Sequence, residues 1–170
     1  MTSLLLNRPD ATPVDLKSTL FSKGFPWLEQ TLTFHHSIDV YLKDSNATGN
    51  IYFARYFEWQ GICREKWFFE CIAPDMLQSL GVFVTKEAQQ KYIQETFAFQ
   101  RVDCEVNTFA IKQCSFSLLF QFYVNEKLVS TGHQQIVFAN LEKKIERLPA
   151  DVIHKIKRYE ATEEKLAMLR

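Results

Sequence analysis

Between Ile51 and Cys71, residues Tyr52, Tyr56, Trp59, Cys63 and Trp67 recur at intervals of three or four, and Phe53, Phe57 and Phe68 fall beside them. That period predicts one long helix over residues 51–71. Its apolar surface is too wide for a helix resting on a flat partner, which needs only one stripe. This helix has to be enclosed. The simplest reading of the aromatic stripe is core packing. Lining a substrate tunnel is the alternative role for Tyr52, Tyr56 and Trp59.

The rest of the chain supplies a covering sheet. Residues 31–43 alternate, with Leu32, Phe34, His36, Ile38, Val40 and Leu42 set against Thr33, His35, Ser37, Asp39 and Tyr41, which predicts a first strand. After Ala73-Pro-Asp75 breaks the helix, one further helical turn fits residues 76–80. Strand patterns then occupy residues 82–88, 92–99, 104–112, 115–124 and 127–140. The clearest is Phe116, Leu118, Phe120, Phe122 and Val124, with Asn125-Glu126 as the turn into the next strand. The expected fold class is α+β, an antiparallel sheet of five or six strands wrapped around the early helix. Pro149 opens a C-terminal helix expected over residues 150–168.

At 170 residues the chain has room for one principal domain, placed at residues 31–148. Residues 1–30 carry Pro9, Pro13, Gly24 and Pro26 and are read as an extension with a short helix near 14–21. Phe21, Phe25 and Trp27 offer it apolar anchors. Residues 149–170 form a second, helical extension.

Lys plus Arg equals Asp plus Glu at 20 each, so no broad basic footprint argues for nucleic acid. No apolar run approaches the roughly 18 residues of a membrane helix, and the opening apolar residues are too few for a secretory signal, so a cytoplasmic location is expected. Cys63, Cys71, Cys104 and Cys114 lack metal-ligand spacing and are read as reduced structural thiols; neither metal nor cofactor is expected. The stretch 143–147 alternates charged and apolar residues and is read as solvated surface, with a coenzyme contact as the alternative.

The polar loop Asp44-Ser-Asn-Ala-Thr-Gly-Asn-Ile-Tyr-Phe53 joins the first strand to the helix. Gly49 permits a positive backbone angle, and Asn50 is placed to cap the helix. Together with Tyr56-Phe-Glu-Trp-Gln-Gly-Ile-Cys-Arg-Glu65, this loop resembles the opening of the hotdog-fold hydroxybenzoyl-CoA thioesterase superfamily. The likeness is greatest to its branch acting on polyketide chains, including the enediyne thioesterases.

The resemblance implies hydrolysis of a polyketide or β-ketoacyl thioester held on an acyl carrier protein, with decarboxylation as a further step. An acyl-CoA thioesterase of primary metabolism and a noncatalytic acyl-binding protein are the alternatives. It also implies a homodimer or homotetramer with sites near the pairing boundary.

The broader family commonly has an aspartate where this chain has Asn46, and an amide cannot act as a carboxylate base. The polyketide branch instead implicates an asparagine and a helix arginine, here Asn46 and Arg64. The resemblance therefore assigns catalytic roles to Asn46, Arg64, Gly49 and Asn50. Asn46 would hold the thioester carbonyl or a water, and backbone N–H groups at Gly49 and Asn50 would stabilise the developing oxyanion from the helix start. Arg64 would bind a substrate oxygen; its permanent charge rules it out as a base. The bland readings are an Asx turn at Asn46, loop geometry at Gly49, a helix cap at Asn50 and an ion pair at Arg64. Neighbours three and four residues from Arg64 offer no carboxylate, so such a partner would come from elsewhere.

Overall fold

The computed structural model describes residues 31–73 and 81–169. The readings for residues 1–30 and for the turn at 76–80 lie outside them. In chain order the elements are β1 (Phe34–Asp39), a 3-10 turn (Leu42–Asp44), α1 (Arg55–Trp67) running into a π turn (Phe68–Ile72), β2 (Val82–Tyr92), β3 (Arg101–Phe109), β4 (Ser115–Val124), β5 (Lys127–Ala139), α2 (Ala150–Lys157) and α3 (Glu163–Ala167). The five strands form one antiparallel sheet in the order β1-β3-β4-β5-β2. This is the hotdog arrangement expected from the sequence.

α1 lies against the inner face of that sheet. Tyr56, Trp59, Cys63 and Trp67 are buried, as are Val102, Cys104, Val106, Phe116, Leu118, Phe120 and Phe122 from the strands. Tyr56 meets Phe122 edge-on at 5.3 Å, and Trp67 packs on Phe116 at 6.2 Å. Burying each large apolar side chain stabilises the fold by roughly 1.5–3 kcal/mol, so this interface dominates the core. Burial pushes the Cys104 thiol well above the ordinary thiol range, with its neighbour Cys63 adding to the shift, so Cys104 stays protonated and inert.

Toward β2 the inner face turns polar. Gln60 Nε2 donates to the Gln89 carbonyl (2.9 Å) and to Gln90 Oε1 (2.5 Å), and the Ser130 hydroxyl donates to the Lys91 carbonyl (2.8 Å). Gly132 leaves the space for the Gln60 amide to approach the sheet.

Several boundaries differ from the sequence reading. β1 stops at Asp39 rather than at residue 43, because the Asp44 carboxylate accepts the Tyr41 N–H (2.9 Å) and tightens the chain into the 3-10 turn. α1 begins at Arg55 rather than 51, because Ile51 donates its N–H to the Thr96 carbonyl (2.8 Å) and bridges to Ser45. Asn50 therefore does not cap the helix; the cap position is Ala54, with no side-chain bond. The segment read as strand 82–88 runs on to Tyr92, continuous along β5 through a bulge between Thr85 and Glu87, and residues 93–99, read as a second strand, form none.

The C-terminal helix is split, because the Thr108 N–H donates to the Tyr159 carbonyl (2.8 Å) and the Ala161 N–H to the Thr108 carbonyl (2.7 Å), which locks the chain to the end of β3. Val152 and Ile156, from the segment read as an extension, belong to the same core. The turn at Asn125-Glu126 forms as expected, with φ of 48° and 65°, the positive angles of a tight hairpin.

A Gly132→Ala side chain would lie 2.6 Å from the Gln89 carbonyl and closer still to Gln60 Nε2. We expect it to cost about 1–3 kcal/mol, because backbone and helix must both shift. For a protein of this size that lowers Tm by about 2–4 °C per kcal/mol, read by thermal unfolding; an unchanged Tm would contradict the packing described for Gln60.

Candidate active site

The loop before α1 is anchored at both ends by Asp44. Its buried carboxylate accepts the Tyr41 N–H and lies 3.6 Å from Arg55 Nε, and its carbonyl accepts the Tyr52 N–H (2.9 Å). Within the loop the Asn46 N–H donates to the Asn50 carbonyl (2.8 Å) and the Gly49 N–H to the Asn46 carbonyl (3.0 Å). Gly49 holds φ at +88°, as its position in the sequence suggested. An added Cβ there would meet nothing within 4 Å, so backbone conformation alone asks for glycine.

Asn46 is exposed, and its Oδ1 accepts the Thr48 N–H (2.9 Å), closing an Asx turn. The Thr48 hydroxyl lies 2.7 Å from Asn46 Oδ1 and 2.6 Å from Asn50 Oδ1, and its single proton serves one of them at a time. These contacts engage Oδ1 only. Among the described residues the Asn46 Nδ2 group has no acceptor, so the loop presents an amide donor whose orientation is already fixed by the turn.

The Gly49 N–H is used inside the loop, and α1 starts beyond it. The helix start expected at Gly49 and Asn50 is corrected to Arg55, so the helix dipole is not at these residues, while the Asn50 N–H donates to no backbone acceptor among the described residues.

The loop docks on the segment after β2. The Ile51 N–H bonds to Thr96 and Asn50 bridges to Phe97. As a result Asn50 Nδ2 donates to Glu95 Oε1 at 3.1 Å. Beside this junction lies a cavity of about 260 Å³ lined by Ile51, Phe53, Tyr56, Tyr92, Ile93 and Glu95 among others. Tyr56 forms its inner wall, with its hydroxyl 2.8 Å from the buried Thr96 hydroxyl. Burial holds the Tyr56 phenol above the ordinary tyrosine range, with Tyr92 raising it further and the Thr96 bond opposing, so Tyr56 is neutral. Trp59 packs behind it at 4.8 Å and is enclosed in the core, away from the cavity lining. Tyr52 is about half exposed and rests on Phe53 at 4.6 Å, also outside the lining.

Arg64 sits elsewhere on α1, nine residues beyond its first residue and about 13 Å along the axis. Its Nη1 donates to the Thr85 hydroxyl on β2 and to Gln134 Oε1 on β5 (3.2 Å). Nη2 lies 3.8 Å from Glu65, whose side chain is three-quarters exposed; solvent makes that pair weak. Sequence spacing could not foresee Thr85 or Gln134, which reach Arg64 only through strand pairing. A larger hollow of about 360 Å³ on the outer face of the sheet is lined by Lys91, Ser117, Thr131 and His133. His133 Nε2 there is 3.9 Å from Glu87, and among the described residues no hydrogen bond joins it to Ser117.

The family model for the thioesterase-like superfamily matches residues 40–156. The chain belongs to that superfamily. The dynemicin thioesterase is similar at 23% identity, with 77% of this chain and 99% of that one covered at a TM-score of 0.70. A 1,4-dihydroxy-2-naphthoyl-CoA thioesterase from Synechocystis is similar at 17% identity, with coverage of 74% and 96% and a TM-score of 0.66. A Staphylococcus aureus protein solved in complex with CoA aligns at 14% identity, with coverage of 80% and 92% and a TM-score of 0.72. At these identities the likeness establishes the shared fold. No curated protein sequence matches. Among the described residues no helix is long and apolar enough to cross a membrane.

Gly49→Ala should destabilise by about 1–2 kcal/mol, the usual cost of a left-handed backbone angle for a side-chain-bearing residue. Thermal unfolding would show it as a lowered Tm, and equal stability of the variant would mean that the loop does not hold the angle described.

Proposed function

We propose that this protein hydrolyses acyl thioesters, with an acyl-CoA as the substrate class favoured by its relatives. The observation that carries the reading is the Asn46 loop: a constrained turn that leaves an amide donor uncommitted and is tied through the Asn50 carbonyl to the lining of a partly apolar cavity. The Asn46 Nδ2 group donates to the thioester carbonyl and strengthens that bond as negative charge gathers on the oxygen. The acyl group occupies the cavity beside Tyr56. Names among the relatives support CoA, including a dihydroxynaphthoyl-CoA thioesterase and a protein bound to CoA.

A polyketide or β-ketoacyl chain on an acyl carrier protein is the second reading, favoured by Asn46 and Arg64 themselves and by the likeness to the dynemicin thioesterase. Both substrates carry the same phosphopantetheine arm.

The working unit in this proposal is a homodimer. β2 is an edge strand of 11 residues whose outer side pairs with no strand among the described residues. Antiparallel pairing of two β2 strands about their centres brings the Thr85 end of one toward the Tyr92 end of the other. Arg64, tethered to Thr85, then approaches the neighbouring copy's loop, where its guanidinium binds a carbonyl or phosphate oxygen.

The test is a product-resolved assay with matched acyl groups on CoA and on a carrier protein, alongside light scattering for assembly state. Turnover on CoA at least equal to that on the carrier is expected, from a dimer. Asn46→Ala should lower kcat/KM by about 10²–10³-fold, the usual loss for one oxyanion donor. Faster turnover on the carrier would transfer the assignment to the second reading, and no turnover on either would end the hydrolase reading.

A further inference from the structure

Thioester hydrolysis needs a base for water, and neither Asn46 nor Arg64 can serve. The carboxylates near the loop differ in how far they are committed. Asp44 is buried and bonded to the Tyr41 N–H, with Arg55 alongside. Glu58 is held by Arg55 Nη1 at 2.5 Å. Glu65 sits with Arg64, a separate place on the helix.

Glu95 is different. It comes from the segment after β2, lines the cavity, and is joined to the loop through Asn50 Nδ2 at 3.1 Å. That bond uses Oε1 and ties the exposed carboxylate to the loop, while Oε2 accepts nothing among the described residues. Asn50 stands opposite Asn46 across the loop, tied by the Asn46 N–H to Asn50 carbonyl bond of 2.8 Å. The backbone pairing of Ile51 with Thr96 makes this juxtaposition a property of the fold rather than of one flexible side chain.

We infer that Glu95 is the catalytic base of this site, with Asn50 as its positioning residue. The inference rests on the hydrolase reading above. Oε2 of Glu95 takes a proton from water as the water oxygen bonds to the thioester carbonyl carbon, whose oxygen is held by Asn46. Collapse of the tetrahedral adduct breaks the carbon–sulfur bond. The proton on Glu95 passes to the departing sulfur, so the products are a carboxylic acid and a free thiol and the carboxylate is restored. The carboxylate absent from position 46 is thus supplied across space, from a segment that the sequence places 49 residues later.

The experiment compares Glu95→Gln and Glu95→Ala with the native 170-residue chain on the acyl-CoA panel, with thermal unfolding of each. Glu95→Gln should lower kcat by about 10²-fold or more while KM stays within about twofold, the signature of lost base catalysis. Added formate should restore turnover to Glu95→Ala and leave Asn46→Ala unaffected. Native turnover with Glu95→Gln unimpaired overturns the inference and leaves the hydrolase reading standing. A loss in both variants with no response of Glu95→Ala to formate also overturns it, because a structural role is not replaced by a free carboxylate. No turnover by the native protein removes the reading itself and this inference with it.

Discussion

The burial of one face of α1 against the sheet is the constraint on which the remaining structure depends. The helix is covered along Tyr56, Trp59, Gln60, Cys63 and Trp67 rather than enclosed on all sides as its sequence suggested, and Phe57 and Ile62 on its other side are exposed. Strands β3 and β4 cover the aromatic side, and β5 with β2 meets the polar side. The sheet is divided accordingly, apolar at its centre and hydrogen-bonding toward the β2 edge. That division puts the polar helix residues Gln60 and Arg64 on the β2 side of the sheet.

A second constraint acts at the helix entrance. The same backbone bond that draws Ile51 to Thr96 shortens α1 and holds the Asn46 loop against the Glu95 segment. Helix start, loop shape and cavity wall are therefore one feature seen from three sides. The Oδ1 of Asn46 closes an Asx turn, and its Nδ2 has no acceptor among the described residues. In the proposed reaction the turn orients that donor. Tyr56 joins them as well, since its buried hydroxyl bonds to Thr96 while its ring borders the cavity.

The legible parts of the sequence were those governed by local periodicity. The spacing of Tyr56, Trp59, Cys63 and Trp67 marks the buried face of a helix, and the alternation from Phe116 to Val124 gives β4 its observed bounds; the wider enclosure expected from Phe53 and Phe57 does not form, since both are exposed. Gly49 and the Asn125-Glu126 turn were legible for the same reason, because a positive φ is a local demand. What escaped depended on contacts distant in sequence. Ile51 and Tyr52 fit the helical pattern, yet Thr96 and Asp44 hold their N–H groups outside the helix. Residues 93–99 look like strand, but the chain leaves the β5 ladder at Tyr92. Glu95 carried no signal at all, since its meaning comes from Asn50, and Arg64 acquires Thr85 and Gln134 only once the sheet is folded.

The central claim is that the Asn46 amide receives the substrate carbonyl beside the Tyr56 cavity. A crystal structure with an acyl-CoA analogue in which a methylene replaces the thioester sulfur tests it most directly, because the carbonyl is retained and cannot be hydrolysed. The carbonyl oxygen is expected at hydrogen-bonding distance, about 2.7–3.2 Å, from Asn46 Nδ2, with the acyl chain against Tyr56 and Tyr92. A bound analogue whose carbonyl lies away from this loop, or whose acyl group occupies the outer hollow near His133, would contradict it.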